Sequence, residues 1–267
     1  MHDGELPPPT VSPDAYDEAY FRHACGGATE WRESDGSKVA GIYPGCLHKA
    51  GLRAGEVLVD IGTGRGELLA VAAKMGASRA IGVEYAPAAV AMAQTTLAAF
   101  AVTDRAELIL ADARAIPLPD ATADLVTMLD VVEHLSPDEL DRSLREARRL
   151  LKPGGRLLIH TFPTRTIYQV TYKWQRALSV SKRRHWPAEP RNAYELAMHV
   201  NEQSLWSLRK TMRAAGFADA AVSLGDIVYT DMVPDRRAAR LYHRLAKVPI
   251  RAVRALGVSN LWGEATR

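Results

Sequence analysis

The sequence predicts an α/β protein whose core is a mostly parallel sheet flanked by helices. Between residues 57 and 161, short apolar runs alternate with segments of helical periodicity. The first run ends at three glycines in alternate positions, which is typical of the turn between strand and helix in nucleotide-binding units. With 267 residues, 47% of them hydrophobic, the chain can bury one large core.

The first βα unit begins with a predicted strand over Val57 to Ile61 and continues into a helix from Leu68. Between them lies Gly62-Thr63-Gly64-Arg65-Gly66, where missing side chains let a ligand approach the backbone and the helix N-terminus offers free N–H groups. The spacing differs from the Gly-x-Gly-x-x-Gly of dinucleotide binders. An ordinary tight turn uses the same residues, so the loop alone names no ligand.

Further apolar runs predict the rest of the sheet. Ser136-Pro137 is a typical helix start, and Lys152-Pro153-Gly154-Gly155 is a sharp turn before the fifth strand. We predict strands over residues 80–84, 107–110, 125–129, 156–161, 220–229 and 261–266, and helices over 87–100, 136–151 and 202–215.

Residues 1–50 are predicted to form an N-terminal leader and a helical cap beside the first strand. The proline-rich residues 1–13 suit a flexible or extended leader. Asp14 is expected to cap a first helix that ends at Gly26-Gly27, with a loop over 28–37 and a second helix over 39–50, interrupted at Pro44-Gly45. The main domain is then expected to span residues 51–267.

Two segments of the main domain do not fit the strand–helix alternation. Residues 163–200 are predicted to be a lid insertion, and residues 233–257 a basic helical excursion kinked at Pro249. Interleaved aromatic and basic side chains in the lid suit stacking on a ring-bearing or nucleic-acid ligand. Amphipathic lid helices need the same residue types, and we favour that interpretation. These side chains are Tyr168, Tyr172, Trp174, Trp186 and Tyr194 among Lys173, Arg176, Lys182, Arg183 and Arg184.

Charge and cysteine content limit the partners and the cellular compartment that we expect for the protein. Residues 1–140 hold 10 Lys/Arg against 21 Asp/Glu, whereas residues 141–267 hold 24 against 10. The basic half could bind an anionic partner. Solvent-exposed helix faces explain the excess of basic residues equally well, and we favour this explanation. Two isolated cysteines, no apolar run long enough for a membrane span and no signal-peptide pattern favour a cytoplasmic protein.

Five signals in order resemble class I S-adenosylmethionine (SAM)-dependent methyltransferases of the type 11 kind. Asp60 with the glycine loop matches their first motif, and Glu84 ends the second strand where a carboxylate can accept both ribose hydroxyls. Asp112 ends the third strand, where the family places an acid on the adenine amino group. The exit of the fourth strand, Asp130 to Leu135, resembles the segment facing the methyl donor, and Leu-Lys-Pro-Gly-Gly at 151–155 matches the family's turn.

The resemblance implies a Rossmann-like methyltransferase fold with a seven-stranded, mostly parallel sheet. It implies that SAM is the methyl donor. It also implies a cofactor site that includes the residues that directly follow Glu84 and Asp112. The expected cofactor-binding residues are Asp60, Gly62, Thr63, Gly64, Gly66, Glu84, Tyr85, Asp112, Ala113 and Asp130.

The reaction of this family is an in-line displacement at a sulfonium methyl, so it needs alignment and removal of the acceptor's proton. His134, His199 and Glu133 are the expected catalytic residues, and an imidazole suits proton transfer near neutral pH. His134 could instead only hydrogen-bond the cofactor loop.

A metal site is the alternative role for the same residues. Asp130, Glu133 and His134 form D-x-x-E-H, which resembles the E-x-x-E-H motif of ubiquinone-biosynthesis O-methyltransferases and small-RNA 2′-O-methyltransferases. Residues at i, i+3 and i+4 share a helix face, and His199 stands where those families draw a further ligand. Mg²⁺ or another divalent cation there would lower the pKa of an acceptor hydroxyl. A histidine acting without metal is the favoured reading.

The favoured function is methyl transfer to a small molecule, at a hydroxyl of a saccharide or specialised metabolite. The alternatives are a 2′-O RNA methyltransferase, a C- or N-methyltransferase of a natural product, and a SAM-binding regulatory protein with a degenerate site. Nucleic acid is disfavoured because the sequence contains no recognisable RNA-binding module. The resemblance also allows a homodimer.

Overall fold

The computed structural model describes residues 6–180, 187–227 and 236–267. Its strands are β1 (Val57–Ile61), β2 (Arg79–Glu84), β3 (Ala106–Leu110), β4 (Ala123–Leu129), β5 (Leu151–Thr161), β6 (Ala221–Leu224) and β7 (Leu261–Thr266). They form one sheet in the order β3-β2-β1-β4-β5-β7-β6. β7 runs antiparallel to β5 and β6, and the pairs from β3 to β5 are parallel. The predicted sheet of seven mostly parallel strands is confirmed.

Eleven α-helices are found in the described residues. They are α1 (Glu18–His23), α2 (Ala28–Ser34), α3 (Ile42–Lys49), α4 (Glu67–Lys74), α5 (Pro87–Ala99), α6 (Pro137–Leu150), α7 (Lys173–Val180), α8 (Ala193–Met198), α9 (Leu205–Ala214), α10 (Arg236–Ala246) and α11 (Arg251–Arg254). A 3₁₀ turn over Pro13–Ala15 precedes α1, and a π-helical segment over Ile167–Tyr172 leads into α7.

Both faces of the sheet are buried, as the continuous apolar strands require. Because side chains alternate along a strand, Val59 and Ile61 of β1 join a core with α6 and α9, whereas Leu58 joins a second core with α3 and α4. The parallel strands therefore end together at one covered edge of the sheet, which is where α/β folds bind ligands.

Two strand boundaries differ from the prediction. β5 begins at Leu151 rather than at 156, because the predicted turn is an irregularity within the strand, where the pairing with β4 shifts between Ala123 and Leu125. β6 ends at Leu224, since the chain then turns toward Asn260, whose backbone carbonyl accepts from Gly225 N–H. Tyr229, at the predicted end of this strand, lies outside the described residues.

The N-terminal cap contains more helix than predicted. Asp17, not Asp14, caps α1, because its side chain accepts from Tyr20 N–H at 2.8 Å while Asp14 sits in the preceding 3₁₀ turn. The predicted loop over 28–37 contains α2, in which Trp31 is buried. The indole N–H of Trp31 donates to the Thr96 hydroxyl at 2.8 Å. α3 is unbroken, since Pro44 lies in its first turn, where a proline is tolerated.

The later part of the predicted leader is packed rather than extended into solvent. Thr10 N–H donates to a Glu139 carboxylate oxygen at 2.7 Å, and the Tyr85 hydroxyl donates to the Val11 carbonyl at 3.3 Å. Val11 is buried in an apolar cluster with Tyr16. The sequence pattern did not indicate these contacts, because the partners are 74 and 129 residues away. The domain boundary at residue 50 stays a prediction.

The lid segment and the C-terminal excursion are largely helical where they are described, and their roles stay predictions. Tyr168 and Tyr172 are buried in the lid, as internal packing requires, whereas Trp174 is exposed. α10 and α11 flank the predicted kink at Pro249. Trp186, Lys182, Arg183 and Arg184 lie outside the described residues. None of the helices that are described is long and apolar enough to cross a bilayer.

Arg65 of the glycine loop fixes the cap to the sheet. Its side chain is only 3% exposed and forms a buried ion pair with Glu67, at 2.7 Å from Nη2 to Oε2. The remaining donors reach the cap. Nη1 donates to the Phe21 carbonyl at 2.5 Å and to Cys25 Sγ at 2.7 Å, and Nη2 donates to the Gly26 carbonyl at 2.5 Å. A buried guanidinium is tolerated only when its donors are satisfied in this way.

We predict that Arg65→Met lowers the free energy of unfolding by about 3–5 kcal/mol, because it leaves the Glu67 carboxylate buried without its cation. Urea denaturation measures this. Arg79→Met, which breaks an exposed pair with Glu107, should cost less than about 1 kcal/mol. Adding Glu67→Leu to Arg65→Met should recover part of the loss, and a double variant no more stable than the single one would contradict the interpretation.

Candidate active site

A cavity of about 690 Å³ lies at the carboxyl ends of β1, β2 and β4, beneath the cap and the lid. Its volume is within the range of small-molecule sites. All of the predicted cofactor and catalytic residues except Gly66 line this one cavity. They are Asp60, Gly62, Thr63, Gly64, Glu84, Tyr85, Asp112, Ala113, Asp130, Glu133, His134 and His199.

The glycine loop requires glycine at the two positions where neighbouring residues come closest. Gly62 has φ of 74°, and a Cβ there would collide with Val131. Gly66 has φ of 73°, and its Cβ would lie 2.9 Å from that of Ala93 in α5. Backbone in the left-handed region disfavours other residues as well. The loop can therefore run close to a ligand in the cavity.

Glu84 is held by backbone N–H groups at the end of β2. One carboxylate oxygen accepts from Gly64 at 2.9 Å, and the other accepts from Tyr85 and Ala86 at 2.8 and 3.0 Å. Burial raises the pKa of this carboxyl, and the three N–H groups oppose that rise. The same interactions fix the carboxylate beside the glycine loop.

Asp60 and Asp112 have different surroundings. Asp60 is buried and accepts from the Thr127 hydroxyl at 2.7 Å, and burial raises its pKa to about 7. Asp112 is bound on both oxygens by the Arg114 guanidinium, at 2.7 Å for the Nη2–Oδ2 pair. Arg114 also reaches Glu139 at 3.4 Å. Arg114 was not among the predicted site residues, although it lies only two residues after Asp112 in the sequence.

Asp130 leaves β4 in an unusual backbone conformation, with φ of 54°. Its N–H donates to the His160 carbonyl at 3.0 Å, and its Oδ1 lies 2.7 Å from His160 Nδ1. Burial raises the pKa of this carboxyl, but His160 outweighs burial, so the pKa lies below its ordinary value. The side chain remains 55% exposed to the cavity. His160 was not among the predicted site residues, since it follows the apolar run of β5 directly and is the second-last residue of that strand.

His134 is hydrogen-bonded from the cap. Burial raises the pKa of the Tyr16 hydroxyl far above its ordinary value, so the hydroxyl stays protonated and can donate to His134 Nδ1, 2.9 Å away. The His134 ring also hydrogen-bonds the Met198 backbone. Burial, with a further contribution from His199, lowers the pKa of His134 to about 3. His134 is therefore a neutral imidazole with its nitrogens engaged.

His199 follows α8, and its ring makes an edge-on contact with that of His134 at 4.7 Å between centroids. Burial lowers its pKa, so it too is neutral. Among the described residues, no group hydrogen-bonds its buried Nδ1. His199 thus offers an unpartnered imidazole nitrogen beside the cavity, in contrast to His134.

Three of the four predicted metal ligands converge. Donor atoms of Glu133, His134 and His199 lie within 4.8 Å of one another, whereas Asp130 is bound by His160 instead. The Glu133 carboxylate already accepts from the Thr161 hydroxyl at 2.9 Å, and His134 has the partners described above. One carboxylate and two imidazoles suit a divalent ion chemically. Two of the three ligands would have to give up existing partners, so a metal here stays a prediction.

Aromatic side chains from the cap and the lid meet over this end of the cavity. Tyr20 of α1 and Tyr194 of α8 have ring centroids 5.5 Å apart, and Tyr16 packs edge-on against Tyr20 at 5.4 Å. Tyr16 and Phe21 are buried in an apolar cluster, and both also line the cavity.

Comparison with known proteins names the domain. Residues 59–159 match the family described as methyltransferase domain. This matched segment, which runs from β1 into β5, is a methyltransferase domain. Solved structures agree with its fold. A SAM-dependent methyltransferase from Aquifex aeolicus has a TM-score of 0.51 at 18% identity, covering 84% of this chain and 88% of that one. The predicted Rossmann-like methyltransferase fold is confirmed.

Curated relatives match the methyltransferase domain but differ in reaction. The chain is 35% identical over 125 residues to the 27-O-demethylrifamycin SV methyltransferase of Amycolatopsis mediterranei, covering 47% of this chain and 43% of that protein. It is 31% identical over 115 residues to the ubiquinone/menaquinone biosynthesis C-methyltransferase UbiE of an Enterobacter species, covering 42% and 45%. The chain spans about half the length of the curated relatives it matches.

The methyltransferase fold does not fix the chemistry by itself. The solved structure of the [4+2]-cyclase SpnF has a TM-score of 0.58 at 19% identity, covering 91% of this chain and 84% of that one. A protein whose name describes ring formation thus has the same fold. The reaction must be argued from the side chains in the cavity.

We predict that Glu84→Ala weakens the binding of S-adenosylhomocysteine (SAH) by about 100-fold, because a buried carboxylate that can accept two ribose hydroxyls is lost. Asp60→Ala should also weaken binding strongly. Isothermal titration calorimetry measures both. Glu107→Ala, on the surface of the adjacent strand, is the control and should bind as the wild type does. Near-wild-type affinity in both site variants would contradict the assignment of the cofactor site.

Proposed function

We propose that this protein is a SAM-dependent methyltransferase that transfers a methyl group to a hydroxyl oxygen of a small molecule. The observation that carries the proposal is the neutral imidazole of His199, whose side chain lines the same cavity as Glu84 and the glycine loop and whose buried Nδ1 has no hydrogen-bond partner among the described residues. A neutral imidazole with a free nitrogen is what removal of a hydroxyl proton requires.

The charges of the cavity suit a cationic methyl donor. The acids Asp60, Glu84, Asp130 and Glu133 line it, and the lining guanidiniums of Arg65 and Arg114 are paired with Glu67 and Asp112. When bound, SAM supplies an electrophilic methyl group on a positively charged sulfonium. Burial raises the pKa of Asp60, Glu84 and Glu133, whereas the pKa of Asp130 lies below its ordinary value, so Asp130 is the anion that favours such a ligand over a neutral one.

The two histidines have different tasks in this proposal. Tyr16 and the Met198 backbone hold the His134 ring, so that it packs against His199 and orients it. His199 would then take the acceptor's proton while the acceptor oxygen bonds the methyl carbon, the carbon–sulfur bond of the donor breaks and the thioether leaves. Glu133, bound to Thr161 beneath them, supports this pair rather than reacting.

The shape and charge of the cavity favour a small acceptor over RNA. Phosphate recognition needs unpaired Lys or Arg side chains along a groove. In the part of the chain that the structure describes, the acids outnumber the basic residues that line the cavity. Tyr20, Tyr194 and Phe162 instead offer aromatic surface, which suits a ring-bearing metabolite.

A carbon acceptor is the second candidate. UbiE is named a C-methyltransferase, and the rifamycin enzyme acts, by its name, on a 27-O-demethyl compound. Removal of a phenolic proton by His199 would activate either the oxygen or a ring carbon conjugated with it. The product formed distinguishes the two.

We predict that His199→Ala lowers kcat by about 100- to 1,000-fold, the usual contribution of a general base. SAH formation is measured with labelled SAM and a metabolite extract of the producing organism, and mass spectrometry identifies the product. Affinity for SAH should stay within about threefold. His23→Ala, an exposed histidine of α1, is the matched control and should keep wild-type turnover. Turnover above half of the wild-type rate in His199→Ala would refute the role of His199.

We predict that millimolar EDTA leaves turnover unchanged, because Glu133 and His134 already have protein partners. Metal analysis of the purified protein should find less than stoichiometric divalent ion. If turnover is lost in EDTA and restored by Mg²⁺ or Mn²⁺, the metal-dependent mechanism replaces the one proposed here. A wild type that binds SAM and forms no SAH with any acceptor pool would instead point to a regulatory protein.

A further inference from the structure

The backbone of Asp130 has a conformation that contacts with other residues must stabilise. A non-glycine residue with φ of 54° is strained relative to an ordinary strand exit. Both its N–H and its carboxylate Oδ1 bind one residue, His160 of β5, at 3.0 and 2.7 Å. These two bonds fix the direction in which the Asp130 carboxylate leaves the backbone.

His160 is held in turn from its other nitrogen. The side chain is buried and its Nε2 lies 2.9 Å from Asn260 Nδ2. Trp262 of β7 covers the ring, with centroids 4.5 Å apart. The imidazole therefore has a partner on each nitrogen and an aromatic neighbour beside it, so it cannot rotate without losing all three contacts.

The orientation of the Asn260 amide sets the tautomer of His160. Ile227 N–H donates to Asn260 Oδ1 at 2.9 Å, so that oxygen faces Ile227 and Nδ2 faces the ring. Nδ2 can only donate, so His160 Nε2 is the acceptor and carries no proton. His160 Nδ1 then carries the proton and donates it to Asp130. The Ile227 N–H thus determines that Nδ1 is the His160 nitrogen that donates to the Asp130 carboxylate.

The loop after β6 is shaped around Asn260. Gly225 has no side chain, and a Cβ there would collide with the Asn260 amide. Gly225 N–H donates to the Asn260 carbonyl at 3.0 Å, and the Ser259 hydroxyl donates to the Ile227 carbonyl at 2.9 Å. These contacts bury Asn260 almost completely, at 2% exposure, so the amide does not serve as a surface group.

The second oxygen of Asp130 is free for a ligand. In the described residues, Oδ2 accepts no hydrogen bond, and the side chain is 55% exposed within the cavity. We propose that Asn260 and His160 are positioning residues that aim the Asp130 carboxylate at the α-ammonium group of the methyl donor. This inference rests on the proposed function, because it assumes that the cavity binds SAM. It assigns to Asn260 and His160 a role in recognising the amino-acid end of that ligand.

Two isosteres of His160 separate its two contacts. In His160→Asn the amide reaches the position of Nδ1, so it can still donate to Asp130 while the bond to Asn260 is lost. In His160→Gln the amide reaches the position of Nε2, so the contact with Asn260 is kept and the one with Asp130 is lost. Asn260→Leu removes the orienting amide and keeps the branched shape of the side chain.

Two probes separate positioning from general damage to the fold. SAH carries the α-ammonium group, whereas 5′-methylthioadenosine has the same nucleoside without the amino acid. Calorimetry with the full chain should show about tenfold weaker SAH binding in His160→Gln and Asn260→Leu, the loss expected for one misplaced charge-assisted hydrogen bond. His160→Asn should stay within about threefold of the wild type. Affinity for 5′-methylthioadenosine should be unchanged in all three variants.

The following results would overturn the proposal. If SAH and 5′-methylthioadenosine weaken equally, His160 and Asn260 support only the fold. If neither weakens, or if His160→Asn loses as much affinity for SAH as His160→Gln, the Asp130 contact has no positioning role. A wild type that binds neither probe overturns the proposed function itself, and so is distinguishable from a failure of the positioning role alone.

Discussion

The buried ion pair between Arg65 and Glu67 is the interaction on which the rest of the site depends. Arg65 stands between two glycines whose positive φ turns the loop, and its side chain reaches into the cap, where it hydrogen-bonds the Phe21 carbonyl at the wall of the cavity. Its charge can be buried only because Glu67 and three acceptors of the cap surround it. The loop that approaches the ligand and the cap that covers it are therefore placed by one guanidinium.

The site divides its chemistry between charged and neutral groups. Acidic side chains gather at the ends of β1, β2 and β4, where the sheet and the helix N-termini bring them together. Burial keeps His134 and His199 neutral, which leaves proton acceptance as their available chemistry. Donor recognition and proton removal thus use different residue types, and a change in one set need not disturb the other.

Much of the fold could be predicted from the sequence, because strands and helices follow from local periodicity and from glycine and proline positions. The β1 boundaries, the glycine loop and the Ser136-Pro137 helix start are local features of this kind. What escaped prediction depends on distant partners. Tyr16 with His134, Arg114 with Glu139 and Asn260 with His160 lie 118, 25 and 100 residues apart. No periodicity encodes such pairs, and α2 escaped because burial of Trp31 stabilises a short helix that propensity alone does not predict.

The antiparallel strand β7 has a consequence for the order of folding. β6 pairs in the sheet with β7 and not with β5, although β6 comes first along the chain. Strands β1 to β5 can assemble from neighbouring segments, so the glycine loop and Glu84 can form early. β6 joins the sheet only through β7, and the pairing of β7 with β5 is a contact of large sequence separation, which is expected to form slowly. Asn260, at the entrance of β7, joins His160 in the same step, so the positioning that we propose for Asp130 depends on this distant strand pairing.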